Sequence, residues 1–345
     1  MEQDEIYPCA ALANDLHVSK DNISDFQKNW DELLRICQER GISQILIGGD
    51  FFQSRVGQPL HVLVAIFQAF EKAETLGIEV TIGEGNHDKV DPEAIIGYAH
   101  IFSKHPNVFV VDDYSAVDFG GVVIYLMSYF PEGGSFSEKL QLVINDLSDD
   151  AINILYCHEG INGGIAQPSD KELPTKIFEP FYKVLVGHYH DRKKIAGTNI
   201  EYIGSSRQHN YGEDAMKGYT ILYSDGSTEF IQNQVNTRFY TLEATSIEEA
   251  KALLEDKIKS DAGARIKMRI TCASDTASTI DKEALIELGA TKVEVVAEAS
   301  DSFAKAADFD TKYDKTGLKE EYSRFCKQKE INNIQLGLDY LDKIN

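Results

Sequence analysis

The chain reads as a layered α/β protein followed by a smaller α+β unit and a helical tail. Three observations predict this: short apolar strand-like runs alternate with helical patterns at the start, briefer strand and helix units follow from about residue 238, and apolar residues return at helical spacing near the end.

Residues 6–14 (IYPCAALAN) read as the first strand. Phe26, Trp30, Leu33, Leu34 and Cys37 then recur at helical spacing, and Gly41 is a suitable left-handed stop. QILIGGD is the second strand. Pro59 suits the first turn of a helix carrying Leu63, Ile66, Phe67 and Phe70 on one side, and IEVTIG from Ile78 is the third strand. Further strands fall at 108–111, 122–127, 152–157 and 182–187, with a helix around Glu138–Leu147. Segments 201–204, 219–224 and 228–233 read as short strands of antiparallel style, because turn signals such as DGS lie between them.

The first domain is expected over residues 1–236 and a capping α+β unit over 237–300. The second unit comprises a strand at FYTLEA, a helix from Ser246 with Ala250, Leu253 and Leu254, a strand at IKMRITC, a helix near Lys282–Leu288 and a strand at KVEVVAE. Residues 301–345 are a polar linker and a helical segment bearing Tyr322, Phe325, Ile331, Ile334, Leu338 and Leu341, an apolar face suited to a partner.

The 345 residues carry 43% hydrophobic side chains, enough for a substantial core. Five scattered cysteines, without close pairs, predict reduced thiols rather than a structural zinc site. The acidic N-terminus and the lack of a long apolar run predict neither signal peptide nor membrane span, hence a cytoplasmic location. A formal charge of −22 opposes nonspecific attraction to nucleic acid or anionic membranes, so a polyanionic substrate must be held locally.

The chemistry gathers at the strand ends. Asp15-Leu16-His17 follows the first strand, Gly48-Gly49-Asp50 the second and Gly85-Asn86-His87-Asp88 the third; later come Cys157-His158-Glu159 and Gly187-His188-Tyr189-His190. Parallel strands bring such ends to one edge, where open α/β sheets bind ligands. Asp15 and His17, like His188 and His190, are two residues apart, and in extended chain such residues face the same side. Glycines beside Asp50, Asn86 and His188 allow tight turns and close approach.

A single histidine beside a glycine is by default a satisfied loop residue, but five matching segments outweigh that reading. Oxygen and nitrogen donors without thiolate suit Mn²⁺, Fe²⁺ or Zn²⁺. The set is too large for one tetrahedral ion; two ions sharing a carboxylate would use it, and Asp50 is placed to bridge. His61, His100, His105 and His209 stand outside these segments and are expected on the surface or on helix faces.

The ordered pattern D-x-H, G-D, G-N-H-D, H and G-H-x-H resembles the calcineurin-like metallophosphoesterase family over about residues 7 to 235. The resemblance implies a four-layer core of two packed mixed sheets flanked by helices. It also implies one ion on Asp15, His17, Asp50 and His190 and a second on Asp50, Asn86, His158 and His188, most often Mn²⁺, with Fe²⁺, Zn²⁺ or Mg²⁺ as alternatives. His87 would face the phosphate as a catalytic group rather than a ligand, with Asp88 orienting it.

A narrower resemblance is to the SbcD-type nuclease subunit of bacterial and phage double-strand-break exonuclease complexes. It rests on Tyr202-Ile203-Gly204-Ser205 followed by Tyr211-Gly212-Glu213, the small unit after the core, and the helical tail. This implies DNA as substrate, an SMC-like ATPase (SbcC-type) as partner of the tail, and a homodimer as an option. Several of these nucleases carry a histidine shortly after the G-D aspartate, where this chain has Gln53, which leaves the balance of exo- and endonuclease action open. Arg55, Lys89 and Arg192 flank the strand ends and are the candidate phosphate contacts.

Overall fold

The core strands are apolar at successive positions rather than at alternate ones, the pattern of strands covered on both faces. The structure, a computed structural model, describes residues 5–165, 172–298, 315–329, 331 and 334–343. Strands β1 (Pro8–Ala13), β2 (Gln44–Gly48), β3 (Glu79–Gly83) and β4 (Val108–Val111) run parallel, with helices α1 (Ile23–Arg40) and α2 (Leu60–Thr75) in the first two crossovers. Strands β5 (Tyr114–Asp118), β6 (Val122–Met127), β7 (Ile152–His158), β8 (Lys183–Gly187), β9 (Lys193–Lys194) and β10 (Ile200–Tyr202) build a second sheet, and helix α3 (Phe136–Asn145) links β6 to β7. The hairpin of β11 (Gly218–Tyr223) and β12 (Thr228–Gln232) returns to the first sheet, adding β11 antiparallel to β1. The result is a mixed α/β fold with two six-stranded mixed sheets, ordered β12-β11-β1-β2-β3-β4 and β5-β6-β7-β8-β10-β9.

Period-two alternation divides each strand between two cores. Ala10, Leu12 and Leu46 of the first sheet meet Ile124, Leu126, Ile154, Tyr156 and Leu185 of the second, forming a layer between the sheets. The intervening residues Ala11, Ala13, Ile45 and Ile47 face α1 and α2, packing with Phe26, Trp30 and Phe70. On the far side Tyr125, Leu155, Cys157 and Val184 pack with Phe136, Leu140 and Val143 of α3. Trp30 also donates its indole N–H to the Ala69 carbonyl at 2.8 Å, fastening α1 to α2.

A third sheet of three parallel strands, β13 (Phe239–Ala244), β14 (Arg265–Ala273) and β15 (Lys292–Glu298), carries helices α4 (Ile247–Ser260), α5 (Ser274–Ala277) and α6 (Lys282–Glu287). Two tail helices follow, α7 (Lys315–Gln328) and α8 (Ile334–Lys343). Most of the expected linker, residues 299–314, lies outside the described residues. Among the described residues no helix is long and apolar enough to cross a membrane.

Two local expectations need correction. Residues 200–202 are not purely antiparallel: β10 pairs parallel with β8 and antiparallel only with β9, because the β9–β10 hairpin folds back and inserts β10 between them. The five strand ends also do not belong to one sheet, since β1–β3 lie in the first and β7 and β8 in the second.

Gly41 closes α1 at φ 68°, with the Ile42 N–H reaching the Cys37 carbonyl at 2.8 Å. An added Cβ would meet nothing within 4 Å, so only backbone cost remains. Gly41→Ala is therefore expected to lower stability by about 1–2 kcal/mol, read as a shifted denaturant midpoint at unchanged slope.

Candidate metal centre

Beyond their last ladder bonds, β1, β2 and β8 turn sharply. Asp15, His17, Asp50 and His188 hold φ of 52°, 44°, 50° and 86°, left-handed values that non-glycine residues adopt at a cost of order 1–3 kcal/mol each. Asp15 and His17 thus converge through a left-handed turn, and the expectation that extended geometry would align them is corrected. The turn is pinned to the loop after β2, because Asp15 N–H and His17 N–H donate to the Gly49 and Asp50 carbonyls, each at 3.0 Å. Gly85 is required by proximity: a Cβ there would land on the Asp50 amide nitrogen and Oδ1.

The seven sequence-predicted donors come together. Asp15 Oδ1 lies 3.8 Å from His17 Nε2, 3.6 Å from His190 Nε2 and 3.9 Å from His158 Nε2. Asp50 Oδ2 lies 3.5 Å from His17 Nε2 and 3.3 Å from His158 Nε2, so one oxygen faces ligands from both sheets. Asn86 Oδ1 and His188 Nδ1 are 3.3 Å apart, and His17 and His190 approach at 3.1 Å through their Nε2 atoms. Among the described residues, three groups of potential ligands result: Asp15, His17 and His190; Asp15, Asp50 and His158; and His17, Asp50 and His87. The last group brings His87 closer to the donors than the sequence suggested.

Asp15 Oδ1 and His158 Nε2 are fully buried without a hydrogen-bond partner. Leaving such atoms unpaired is costly, whereas donors separated by 3.3–3.9 Å suit a common ion bound at about 2.0–2.2 Å from each. The outer contacts also fit. His158 donates Nδ1–H to the Gly48 carbonyl at 2.9 Å, and His190 Nδ1 bonds Glu213 Oε1 at 2.7 Å, which turns both Nε2 atoms toward the cluster.

The electrostatics agree with a cation site. Burial pushes His17 down to about 3; burial, then His158, pushes His188 down to about 3, so both rings are neutral and able to ligate. Burial opposes a charge on His158, but Asp50 and Asp15 outweigh it and push it up to about 9. Burial likewise works against ionised Asp50, yet His158 holds it well below the usual carboxylate range, while burial raises Asp15.

His87 is half-buried; its N–H donates to Asp50 Oδ1 at 2.8 Å and its Nδ1 meets the Gln53 carbonyl at 2.8 Å. The expected orienting role of Asp88 is corrected. Its buried carboxylate accepts the N–H groups of Phe51, Phe52 and Gly85 at 3.1, 2.8 and 2.7 Å, bracing the Asp50 and Asn86 loops instead.

Two of the three candidate phosphate contacts are also corrected. Lys89 is buried, donates to the Tyr129 carbonyl at 2.7 Å and lies 4.0 Å from the centre of the Phe130 ring. The Arg192 guanidinium is taken by the Ile203 carbonyl, Thr220 and Glu201, and stacks on Phe230. Arg55 is exposed and lines the cleft of about 320 Å³ over the donors, together with Gln53 and His87. A groove of about 610 Å³ shares His188, His190 and Asn210 with that cleft and continues past Tyr189 and Lys193.

Of the histidines assigned elsewhere, His61 is exposed, His100 pairs with Asp112 at 2.9 Å, and His105 packs on Phe67 and Phe70. His209 is a correction: it lines the cleft, bonds the Asp15 carbonyl through Nε2 at 2.7 Å and packs on the rings of His17 and His190. Its only sequence signal is position, in the polar run after the YIGS strand end. Glu213, quoted above only for the resemblance, holds His190.

No family model matches the chain. Solved structures similar to it include the nuclease MPE of Pseudomonas putida, at 15% identity over 61% of this chain and 82% of that one, with a TM-score of 0.30. Another is a dimetal phosphatase from Danio rerio, at 8% identity over 62% of this chain and 92% of that one, with a TM-score of 0.43. Likenesses this distant leave function to be argued from the side chains of the centre.

Gly85→Ala is expected to displace Asp50 and lower metal affinity by about 10–100-fold while the far-ultraviolet circular dichroism stays unchanged; elemental analysis after dialysis against Mn²⁺ checks it.

Proposed function

We propose that the chain is a dinuclear metal-dependent phosphodiesterase of the calcineurin-like type that cleaves DNA, as the nuclease subunit of an SbcCD-like recombination and repair assembly. The observation that carries the reading is the Asp50 carboxylate, whose Oδ2 faces His17 on one side and His158 on the other. Asp15, His17, Asp50 and His190 would hold one ion, and Asp50, Asn86, His158 and His188 the other. Such a pair, with Mn²⁺ preferred and Fe²⁺, Zn²⁺ or Mg²⁺ as alternatives, would supply acidified water at neutral pH and positive charge for the phosphoryl oxygens.

The remaining work falls to the chain. With Nδ1–H held by the Gln53 carbonyl, His87 keeps Nε2 as the atom that can hold a proton for the leaving oxygen. Asn86 contributes a neutral oxygen, adding no charge to a site that already buries two carboxylates. Arg55 at the cleft mouth offers a cation to a neighbouring phosphate. A phosphatase or small-molecule phosphodiesterase of the same fold would use an identical centre; the groove running on past Tyr189 favours an extended strand over a compact substrate.

The same proposal places the protein in the cytoplasm, allows two copies to pair, and docks an SMC-like ATPase of the SbcC type on the tail helices. Phe325 of α7 and the following Ile331 are exposed there, 51% and 42% respectively.

Asp50→Asn is expected to weaken both ions and abolish turnover, while His87→Gln keeps its metal and loses about 10²–10⁴-fold in rate. Turnover of end-labelled duplex DNA, bis-p-nitrophenyl phosphate and a phosphomonoester at equal enzyme checks this, and faster monoester than DNA hydrolysis would favour the phosphatase reading. Truncation from Leu318 onward should remove ATPase binding in a pull-down while leaving bis-p-nitrophenyl phosphate hydrolysis intact.

A further inference from the structure

The turn from Asn14 to His17 carries two members of one proposed ligand set, Asp15 and His17, and its backbone lies beyond the β1 ladder. The amides of Asp15 and His17 are held from the loop after β2, as described above. The four carbonyls of the turn each accept from another segment, residues 206–209, running alongside, and the His17 carbonyl also accepts the Asn22 side-chain N–H at 2.8 Å. Ser206 N–H donates to the Asn14 carbonyl at 3.3 Å, and Arg207 Nη2 donates to the Leu16 and His17 carbonyls at 2.9 and 3.2 Å. The Asp15 carbonyl is left to His209, whose Nε2 lies 2.7 Å away and must donate, because a carbonyl can only accept.

The same ring does two further things. It stands edge-on to His17, with ring centres 4.9 Å apart and planes at 83°, and is tilted against His190 at 4.9 Å. Its own backbone N–H is bonded to Glu213 Oε2 at 2.9 Å, while Glu213 Oε1 receives His190 Nδ1 at 2.7 Å. One side chain therefore touches the main chain of Asp15 and the rings of His17 and His190. Among the described residues, its hydrogen bond and ring contacts at the centre reach the Asp15, His17 and His190 side.

We infer that His209 is a positioning residue for one half of the centre, its Nε2–H fixing the Asp15 turn so that Asp15, His17 and His190 converge on the same ion while the other half is left alone. The inference rests on reading the centre as a two-ion site. A merely structural histidine would lower the melting temperature without distinguishing between the ions; a positioning residue weakens one and spares the other.

Calorimetric titration of Mn²⁺ into the metal-stripped full chain tests this with His209→Phe, which keeps a ring between the two imidazoles but has no donor, and His209→Gln, which offers an amide N–H at similar reach. The wild type should bind two ions. His209→Phe should bind one of them about 10–100-fold more weakly, the loss usual when the outer partner of a ligand is removed, and the other as before. His209→Gln should keep both affinities.

Wild-type affinities for both ions in His209→Phe, or equal losses in the Phe and Gln variants, overturn the inference and leave the two-ion reading standing. Should His209→Phe not fold, His209→Met takes its place as the donor-less variant: weakening of one ion alone supports the inference, and weakening of both or of neither overturns it. A wild type that takes up fewer than two ions overturns the underlying reading, and the inference with it.

Discussion

Two carboxylates, Asp15 and Asp50, are buried where the two sheets meet, exposed by 0% and 3%, and the arrangement around them follows from that constraint. A buried anion is tolerated only when positive charge and hydrogen bonds answer it. Asp50 Oδ1 receives the His87 N–H, and its Oδ2 lies against His17 and His158. Asp15 Oδ2 receives the Asn14 side chain and the His188 N–H, leaving Oδ1 for the imidazoles. Protonated His158 and a divalent cation are alternative answers to the same pair of charges, so ion uptake at neutral pH is expected to be coupled to proton release.

Acidic residues elsewhere in the molecule obey the same rule by losing their charge. Burial and Asp88 push Glu84 up to about 8, and burial and Glu132 push Glu159 well above its ordinary value. Burial pushes Lys89 down while Glu84 and Glu159 work the other way, and its ammonium is spent on the Tyr129 carbonyl inside the molecule rather than on phosphate.

The fold was legible wherever one periodicity dominated. The double-sided apolar runs of β1, β2, β7 and β8, and the 3.6-residue stripe from Phe26 to Cys37, led to elements within a few residues of those observed. The half-exposed β5 and the two-residue β9 carry no such pattern and were not read. Nor does periodicity say which strands share a sheet, so the division of the strand ends between two sheets was invisible. The donor types at those ends were legible because metal chemistry restricts them. The roles of their neighbours were not: Asp88 could have faced His87 or the backbone, and only folding the Phe51 and Phe52 amides over it decides between them. His209 escaped notice because its partner is a main-chain carbonyl 194 positions away, a contact that leaves no mark in local composition.

The split of the centre between two sheets bears on how the protein is made. Asp15, His17, Asp50 and Asn86 leave the ribosome well before His158, His188 and His190, and the first sheet gains β11 and β12 only from residues 218–232. A nascent chain that has reached the end of β4 carries Asp15, His17, Asp50 and Asn86 but none of the three histidines that the second sheet supplies. Nearly the whole core must therefore have emerged and assembled before all seven donors can converge.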